Sequence, residues 1–252
     1  MRRICGLLTI LALPLGSAPA LAAPEEIQVY VDDLTPPGRF GMDVHNNYVL
    51  SGRTVPEYPG EQPPDHVYRL TPEFYYGLTH TLELGLYLLS TVSAAGDPHF
   101  DGAKLRLKFV APHTPEHGAF WGLNLEVGKT TARVNEYPWN LELKGIYGWR
   151  TQQWLLAANL NIDRSLSRSD AATAELDTKI ARDVGRATQI GVEFYDEIGP
   201  VTDPGPLSAF SQTVYAVLDT ELAGFEINAG LGWGLTAAAD HAVIKLIVGH
   251  RF

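Results

Sequence analysis

The 252-residue sequence has a single cysteine, Cys5, which lies in an N-terminal stretch that the mature protein is expected to lose. A disulfide-stabilised scaffold is therefore excluded. No run of 18 apolar residues occurs, which excludes a helical protein that crosses a membrane several times. Positive charge is also scarce: 19 Lys and Arg stand against 29 Asp and Glu, for a formal net charge of -10. A nucleic-acid-binding surface is therefore not expected.

Motifs of metal and cofactor sites are equally scarce. No C-x-x-C pair and no EF-hand pattern occurs, so neither a metal ion nor a cofactor is expected. Residues His113 to His117 spell H-x-x-E-H, a metalloprotease pattern that requires a helix. Pro112 and Pro115 oppose a helix at this point. The segment is therefore predicted to be a turn with solvated histidines.

Two further patterns resemble phosphate-binding or catalytic sites. Gly230, Gly232 and Gly234 form G-x-G-x-G without a following helix, which favours strand bending over phosphate binding. Asp43 and His45 lie one pleat apart on a polar face, as an acid and imidazole pair would. No H-x-S-N-G stretch and no serine plainly paired with a histidine accompanies them. We therefore expect an interior hydrogen-bonded pair and assign no catalytic residue.

The features that are present begin with an export signal. Two arginines at positions 2 and 3 precede an apolar stretch over 4–15, and residues 20–22 give the small-x-small cleavage pattern. These features predict a secretory signal peptide over residues 1–22, cut after Ala22 or Ala23. The mature chain would keep 17 of the 19 basic residues against 29 acidic ones, for a net charge of -12.

From residue 40 to the end, apolar and polar residues alternate with a period of two, as in half-buried β-strands. In the clearest case, Leu105, Leu107 and Phe109 alternate with basic residues. Roughly twelve such segments occur, and each is near the length that a tilted strand needs to cross a bilayer. The predicted strands lie near 40–50, 67–78, 81–88, 104–109, 121–127, 139–149, 154–163, 173–183, 188–198, 210–219, 225–233 and 242–252.

The connections between these segments alternate in length. Short turns are predicted near 77–80, 149–151 and 183–186, where Gly and polar residues occur. Longer loops rich in Pro or Ser are predicted at 51–65, 91–99, 130–137, 164–172 and 199–208. This alternation is typical of a barrel with short turns at one end and long loops at the other.

Two all-β folds fit this pattern, and they differ in where the apolar faces point. In a soluble sandwich these faces pack against one another, whereas in a membrane barrel they face lipid and the polar faces line the interior. Aromatic residues gather near strand ends on the apolar face, which suits the headgroup level of a bilayer. They are Tyr68, Tyr76, Trp121, Trp139, Tyr147, Trp149, Trp154, Phe225 and Trp233. The sequence therefore predicts an all-β fold, a transmembrane antiparallel up-and-down β-barrel of roughly 12 strands.

The signal, the alternating strands and the terminal Phe252 together resemble the outer-membrane β-barrel proteins of Gram-negative bacteria. The phrases at 76–79, 82–85 and 232–236 are similar to those of uncharacterised barrels often described as transporters. The resemblance implies localisation in the cell outer membrane, contact with its lipid, and recognition of Phe252 by the barrel-assembly machinery. His250 departs from the pattern, because the family usually has an aromatic or aliphatic residue there.

The barrel is expected to comprise residues 39–252. Residues 23–38 are expected to form a periplasmic tail or short plug, because a thirteenth spanning strand would put the two termini on opposite sides. Charged residues of both signs would line the lumen. The predicted lumen-lining residues are Asp43, His45, Arg69, Glu73, Glu83, Lys104, Arg106, Lys108, Glu126, Glu142, Lys144 and Lys179.

The expected function is that of a passive channel for small solutes, and not of an enzyme. Lys104, Arg106 and Lys108 form a basic stripe that either guides anionic solutes or only braces the wall. Two alternatives stay open. One is a barrel enzyme that hydrolyses lipid or peptide through Asp43 and His45, and the other is a structural or adhesive barrel without transport.

Overall fold

The computed structural model describes residues 26–114, 117–167 and 172–252. The predicted signal peptide, residues 1–22, lies outside the described residues. Among the described residues, no helix is long and apolar enough to cross a membrane. One short 3₁₀ turn, Leu207–Ala209, precedes the tenth strand.

Twelve β-strands form a single closed sheet in which each strand pairs antiparallel with its neighbours in the chain, and the last strand pairs with the first. The strands are β1 Phe40–Ser51, β2 Tyr68–Gly77, β3 Leu82–Val92, β4 Pro98–Val110, β5 Gly118–Thr130, β6 Trp139–Arg150, β7 Trp154–Ser165, β8 Thr173–Asp183, β9 Thr188–Pro200, β10 Ser211–Leu222, β11 Phe225–Gly234 and β12 Ala242–Arg251. The prediction of an all-β, antiparallel up-and-down barrel of twelve strands is confirmed.

Closure of the barrel depends on the pairing of β1 with β12. Met42 lies opposite His250 and Val49 opposite Val243, so the two strands pair along almost their whole length. Beyond β12, the Phe252 N–H donates to the Phe40 carbonyl at 2.8 Å. A closed ladder leaves no strand edge with unpaired N–H and C=O groups, which an apolar surrounding would not tolerate.

The barrel is apolar outside and charged inside. On β5, Leu125 is 42% exposed, whereas its neighbour Glu126 is 3% exposed. Leu105 and Leu107 of β4 are likewise exposed, while Arg106 between them is buried. A water-soluble protein has the opposite arrangement. The apolar faces therefore do not pack against one another, and the sandwich alternative is excluded.

The two ends of the barrel differ in their connections. The short-loop end holds the start of β1 and the end of β12, together with the connections 78–81, 111–117, 151–153, 184–187 and 223–224. The long-loop end holds the connections 52–67, 93–97, 131–138, 166–172, 201–210 and 235–241.

The connection predicted at residues 91–99 is present but shorter, because only residues 93–97 lie outside the strands. Proline is compatible with the first position of a strand, and Pro98 begins β4. Gly102 then continues β4 with a φ of +145°, where an added Cβ would lie 2.1 Å from the Lys129 carbonyl oxygen. Glycine thus lets the strand run past a close approach of β5.

Residues 26–38, here called the N-terminal segment, form no strand of the barrel, and the first part of the segment lies inside it. Ile27, Val29 and Tyr30 are buried in one apolar cluster with inward side chains from β1, β5–β10 and β12. The segment leaves the lumen at the short-loop end, where Pro37 forms an isolated bridge with Gly77. An added Cβ on Gly77 would lie 2.3 Å from two carbonyl oxygens of the segment, so this exit requires glycine.

Candidate functional site in the barrel lumen

All twelve residues predicted to line the lumen lie on the inner face of the barrel. Nine of them are buried, and Asp43, Lys104 and Glu142 are partly buried. Strand alternation accounts for this placement, because successive side chains point to opposite faces of the sheet. The structure adds what periodicity does not show, namely the partners of each charge.

Arg106 of β4 is the centre of a buried ion-pair cluster. Its Nη2 atom lies 2.8 Å from Glu73 Oε1 on β2 and 2.5 Å from Glu83 Oε1 on β3. The guanidinium crosses β3 over Gly85, its register partner, where an added Cβ would lie 2.6 Å from Arg106 Nε. Glycine at this position therefore lets one arginine bridge two carboxylates.

Asp43 and His45 have separate partners. The Tyr75 hydroxyl donates to Asp43 Oδ1 at 2.8 Å, and His45 Nε2 lies 3.4 Å from Glu73 Oε2. His45 Nδ1 has no hydrogen-bond partner in the described part of the chain. The structure thus brings neither residue into contact with a serine, and gives no support to the hydrolase alternative.

The middle of the N-terminal segment is held by its main chain. Asn159 Oδ1 accepts from the Tyr30 N–H at 2.6 Å, and Asn159 Nδ2 donates to the Tyr30 carbonyl at 3.0 Å. On the other side of the lumen, Lys245 Nζ donates to the Ile27 carbonyl at 3.1 Å and also contacts Glu193. Inward side chains thus replace the strand partner that this extended stretch lacks.

The Tyr30 ring lies among three basic side chains of the wall. The Lys144 and Lys108 ammonium groups lie 4.3 Å and 4.9 Å from the ring centre, and the Arg106 guanidinium lies 5.6 Å away. Its hydroxyl contacts the hydroxyl of Tyr87. The ring face attracts cations, so one aromatic side chain of the segment occupies the space in front of the basic wall.

Asp32 anchors the segment near the short-loop end. Its carboxylate accepts from Arg150 at 2.5 Å and 2.9 Å, and lies 2.9 Å from His113 Nε2. His113 Nδ1 lies 2.9 Å from the Ala111 carbonyl oxygen. No helix forms in the described residues on either side of 115–116, as predicted, and His117 is exposed. His113 is only partly exposed, because Asp32 contacts its ring. Residues 115–116 lie outside the described residues.

Asp33 forms the second anchor. Its carboxylate lies 3.0 Å from Lys108 Nζ and 3.3 Å from Arg251 Nη2. Partial burial alone would raise the pKa of the half-exposed Asp33 carboxyl, but the nearby charges of Lys108 and Arg251 outweigh it and hold the pKa at about 2. Asp33 is therefore ionised at neutral pH and binds two different strands.

These contacts bear on the basic stripe of Lys104, Arg106 and Lys108. Arg106 is paired with Glu73 and Glu83, and Lys108 is paired with the N-terminal segment. Arg106 and Lys108 are thus engaged in internal ion pairs. The contacts favour the bracing interpretation over the guidance of anions.

The wall from β5 to β9 carries a band of acidic residues towards the long-loop end. Glu126 lies directly opposite Glu142, and Glu142 opposite Asp163. Farther along the wall, Asn161 Nδ2 donates to Glu175 at 3.3 Å and to Asp177 at 2.8 Å. Lys144 Nζ, 3.3 Å from Glu142, lies beside this band.

A cavity of about 400 Å³ is left between the N-terminal segment and the wall from β8 to β12. Acidic residues outnumber basic ones along it. The acidic residues are Asp33, Asp43, Asp183, Asp219, Glu221 and Glu226, and the basic ones are Lys179 and Arg251. The segment therefore narrows the lumen without filling it. Acidic side chains predominate around the space that remains.

Aromatic side chains ring the outer surface near both ends. Trp121, Trp149 and Trp154 lie near the short-loop end, and Trp139 and Trp233 near the long-loop end, all 44–51% exposed. His250 joins the first ring, because it packs between Phe225 and Phe252 with ring centres 5.2 Å and 4.7 Å away. The imidazole thus occupies the position of the aromatic residue that the resemblance led us to expect.

The sequence interpretation missed the residues that hold the N-terminal segment. Tyr30, Asp32, Asp33 and Asn159 carry no motif that identifies them as binding residues. The alternation of Ile27, Val29 and Val31 next to two aspartates was the available signal. It marks a stretch with apolar and acidic contacts, but it does not say where those contacts lie.

Two solved outer-membrane barrels share this fold. An outer membrane channel from Pseudomonas putida F1 matches with a TM-score of 0.62 and 12% identity, over 90% of this chain and 100% of that chain. The KdgM porin matches with a TM-score of 0.53 and 11% identity, over 84% and 99% of the two chains. No protein-family model matches the sequence, and no curated protein matches it significantly. The expected resemblance to outer-membrane porin-like barrels is confirmed for the fold.

Proposed function

We propose that this protein is a channel of the bacterial outer membrane for small solutes. The observation that carries the proposal is the inverted polarity of a closed barrel, with charges buried inside and an apolar belt between two aromatic rings outside. Lipid can solvate such a belt, whereas water cannot without a large cost. The shared fold with an outer membrane channel supports the same function.

In this proposal the N-terminal segment acts as a plug that sets the width of the passage. Its main chain and both aspartates bind the wall, and the cavity beside it, at the short-loop ends of β8 to β12, is the proposed entrance to the passage. Because that cavity carries more acidic than basic side chains, the field in it favours cations over anions. The solutes are therefore small and neutral or cationic.

Planar bilayers test the proposal directly. We expect the full chain to give a small, cation-selective conductance, measured as a reversal potential in a KCl gradient. A chain that lacks residues 26–38 should conduct several times more current, because the lumen loses its plug. Heat-modifiable migration of the truncated chain in SDS gels serves as the control that this chain still folds. A full chain that inserts but never conducts would refute the channel function.

The proposed location has its own test. Phe252 lies at the short-loop end with its side chain exposed, where an assembly factor can reach it. Removal of Phe252 should lower the amount of folded barrel in the outer-membrane fraction. Recovery of the full chain from the periplasm, soluble without detergent, would contradict both the location and the lipid contact.

A further inference from the structure

Three potential metal ligands meet inside the barrel, next to the plug. Ligand atoms of Glu26, His45 and Glu73 all lie within 4.8 Å of one another. Glu26 belongs to the N-terminal segment, His45 to β1 and Glu73 to β2. His45 and Glu73 are 0% and 1% exposed. No sequence motif marks this group, because its members come from three separate segments.

The separation of His45 and Glu73 fits two ligands of one metal ion. The distance between His45 Nε2 and Glu73 Oε2 is 3.4 Å, beyond the usual range of an N–H···O bond. Two neighbouring ligands of a tetrahedral zinc ion, each about 2.0–2.1 Å from the metal, lie about 3.3 Å apart. Imidazole nitrogen and carboxylate oxygen are also ligands that zinc accepts, and three protein ligands leave one position for water.

The surroundings orient the ligands. Arg106 binds Glu73 Oε1 at 2.8 Å, which leaves Oε2 directed at His45. The Tyr87 hydroxyl lies 3.5 Å from Glu26 Oε1. Outer contacts of this kind fix the geometry of ligating carboxylates.

A bound cation would lie in acidic surroundings. Glu26, Glu73 and Glu83 lie around Arg106, and Lys108, which also acts on Glu73, is paired with Asp33. Because buried charges are stable only when they are compensated, a bound cation would offset part of this negative charge.

We propose that Glu26, His45 and Glu73 bind one divalent transition-metal ion of the zinc class, which fastens the N-terminal segment to β1 and β2. The competing explanation is a protonated His45 between two carboxylates. Both forms carry a proton on Nδ1, which has no hydrogen-bond partner in the described residues. The 3.4 Å separation of His45 Nε2 and Glu73 Oε2, with a second carboxylate nearby, is what favours the metal. The proposal concerns binding and does not depend on conduction.

Zinc titration of the folded, detergent-solubilised full chain tests this site. After EDTA treatment, Zn²⁺ is added in competition with a chromophoric chelator. We expect one ion per barrel, with Glu26→Gln and His45→Gln each weakening binding at least tenfold. His241→Gln, which removes an exposed histidine of the long-loop end, should bind as the unmodified chain does.

Glu26→Gln keeps the test valid if His45→Gln fails to fold, because Glu26 lies outside the strands. Co²⁺ provides a second readout, since a tetrahedral site with a histidine ligand gives visible absorption bands that Glu26→Gln should alter. Absence of stoichiometric binding would overturn the proposal in favour of the imidazolium contact. Equal binding by Glu26→Gln and the unmodified chain would overturn it in favour of adventitious surface binding.

Discussion

At the residue scale, the lumen is organised by single side chains that satisfy several others. Arg106 bridges two buried carboxylates and lies against the Tyr30 and Tyr87 rings. A guanidinium suits this position because it is planar and always charged, so that Nη2 reaches both carboxylates while the group lies against the two rings. Loss of such a residue leaves two buried anions without compensation.

We expect Arg106→Met to destabilise the folded barrel by about 3–5 kcal/mol, the usual cost of removing one partner of a buried ion pair. Arg106→Lys should lose less, because it keeps the charge but not the planar guanidinium. The free energy of unfolding in urea, measured on barrels refolded in lipid vesicles, checks both. Equal stability of Arg106→Met and the unmodified chain would show that the ion pairs contribute nothing.

Asn159 offers a second prediction at this scale, because it forms two hydrogen bonds with the Tyr30 main chain. Asn159→Ala should weaken the hold on the segment by about 1–3 kcal/mol, since each such bond contributes about 0.5–1.5 kcal/mol. Hydrogen exchange of residues 26–38 should become faster. Asn124→Ala is the matched control, because Asn124 is a buried inward asparagine whose amide donates to Glu126 and not to the segment.

At the scale of elements, the N-terminal segment and the barrel are held together by ion pairs near the short-loop end. Asp33 binds Lys108 and Arg251, while Asp32 binds Arg150 and His113. The two aspartates face different parts of the wall, so the segment is clamped where it leaves the lumen. This clamp depends on ionised carboxylates and therefore on pH.

Because Asp33 has a pKa of about 2 in the folded protein and 3.8 ordinarily, its ion pairs stabilise the bound segment fully above about pH 4. That contribution is lost as the pH falls towards 2. We therefore expect the channel current of the unmodified chain in planar bilayers to rise as the pH falls from about 4 towards 2. Asp33→Asn should conduct more at neutral pH and show a smaller acid-induced rise. Identical pH profiles of the two chains would argue against the clamp.

At the scale of the whole molecule, the outer belt and the charged lumen are two faces of the same strands. A charged substitution is therefore expected to destabilise the barrel at an outward position but to be tolerated better at the adjacent inward position. Leu125 lies midway along β5 on the outer face, opposite Leu107 and Leu143 of the neighbouring strands. In the proposed membrane location, a charge placed there would face lipid.

We expect Leu125→Arg to cost about 2–4 kcal/mol of folding free energy, as for arginine near the middle of a bilayer. Val55→Arg is the control, because Val55 is exposed but lies in the connection 52–67 at the long-loop end. It should change stability by less than about 0.5 kcal/mol. Refolding into vesicles, followed by urea titration, measures both. A neutral Leu125→Arg would mean that the belt does not contact lipid.

The sequence by itself determined the barrel and its polarity. The period-two alternation fixed which side chains share a face, so Leu105 and Lys104 were separated correctly without knowledge of any partner. Local turn chemistry marked most connections. It failed at Pro98, because proline signals both a loop and the first residue of a strand.

Only the tertiary structure decided what occupies the lumen. The contacts of Tyr30 with Asn159, and of Asp33 with Lys108, join residues far apart in the chain. A periodic pattern specifies the face of a side chain, but not which strand lies across a closed barrel. Closure brings opposite walls to the same extended segment, and this is why the plug and the cluster around His45 appear only in three dimensions.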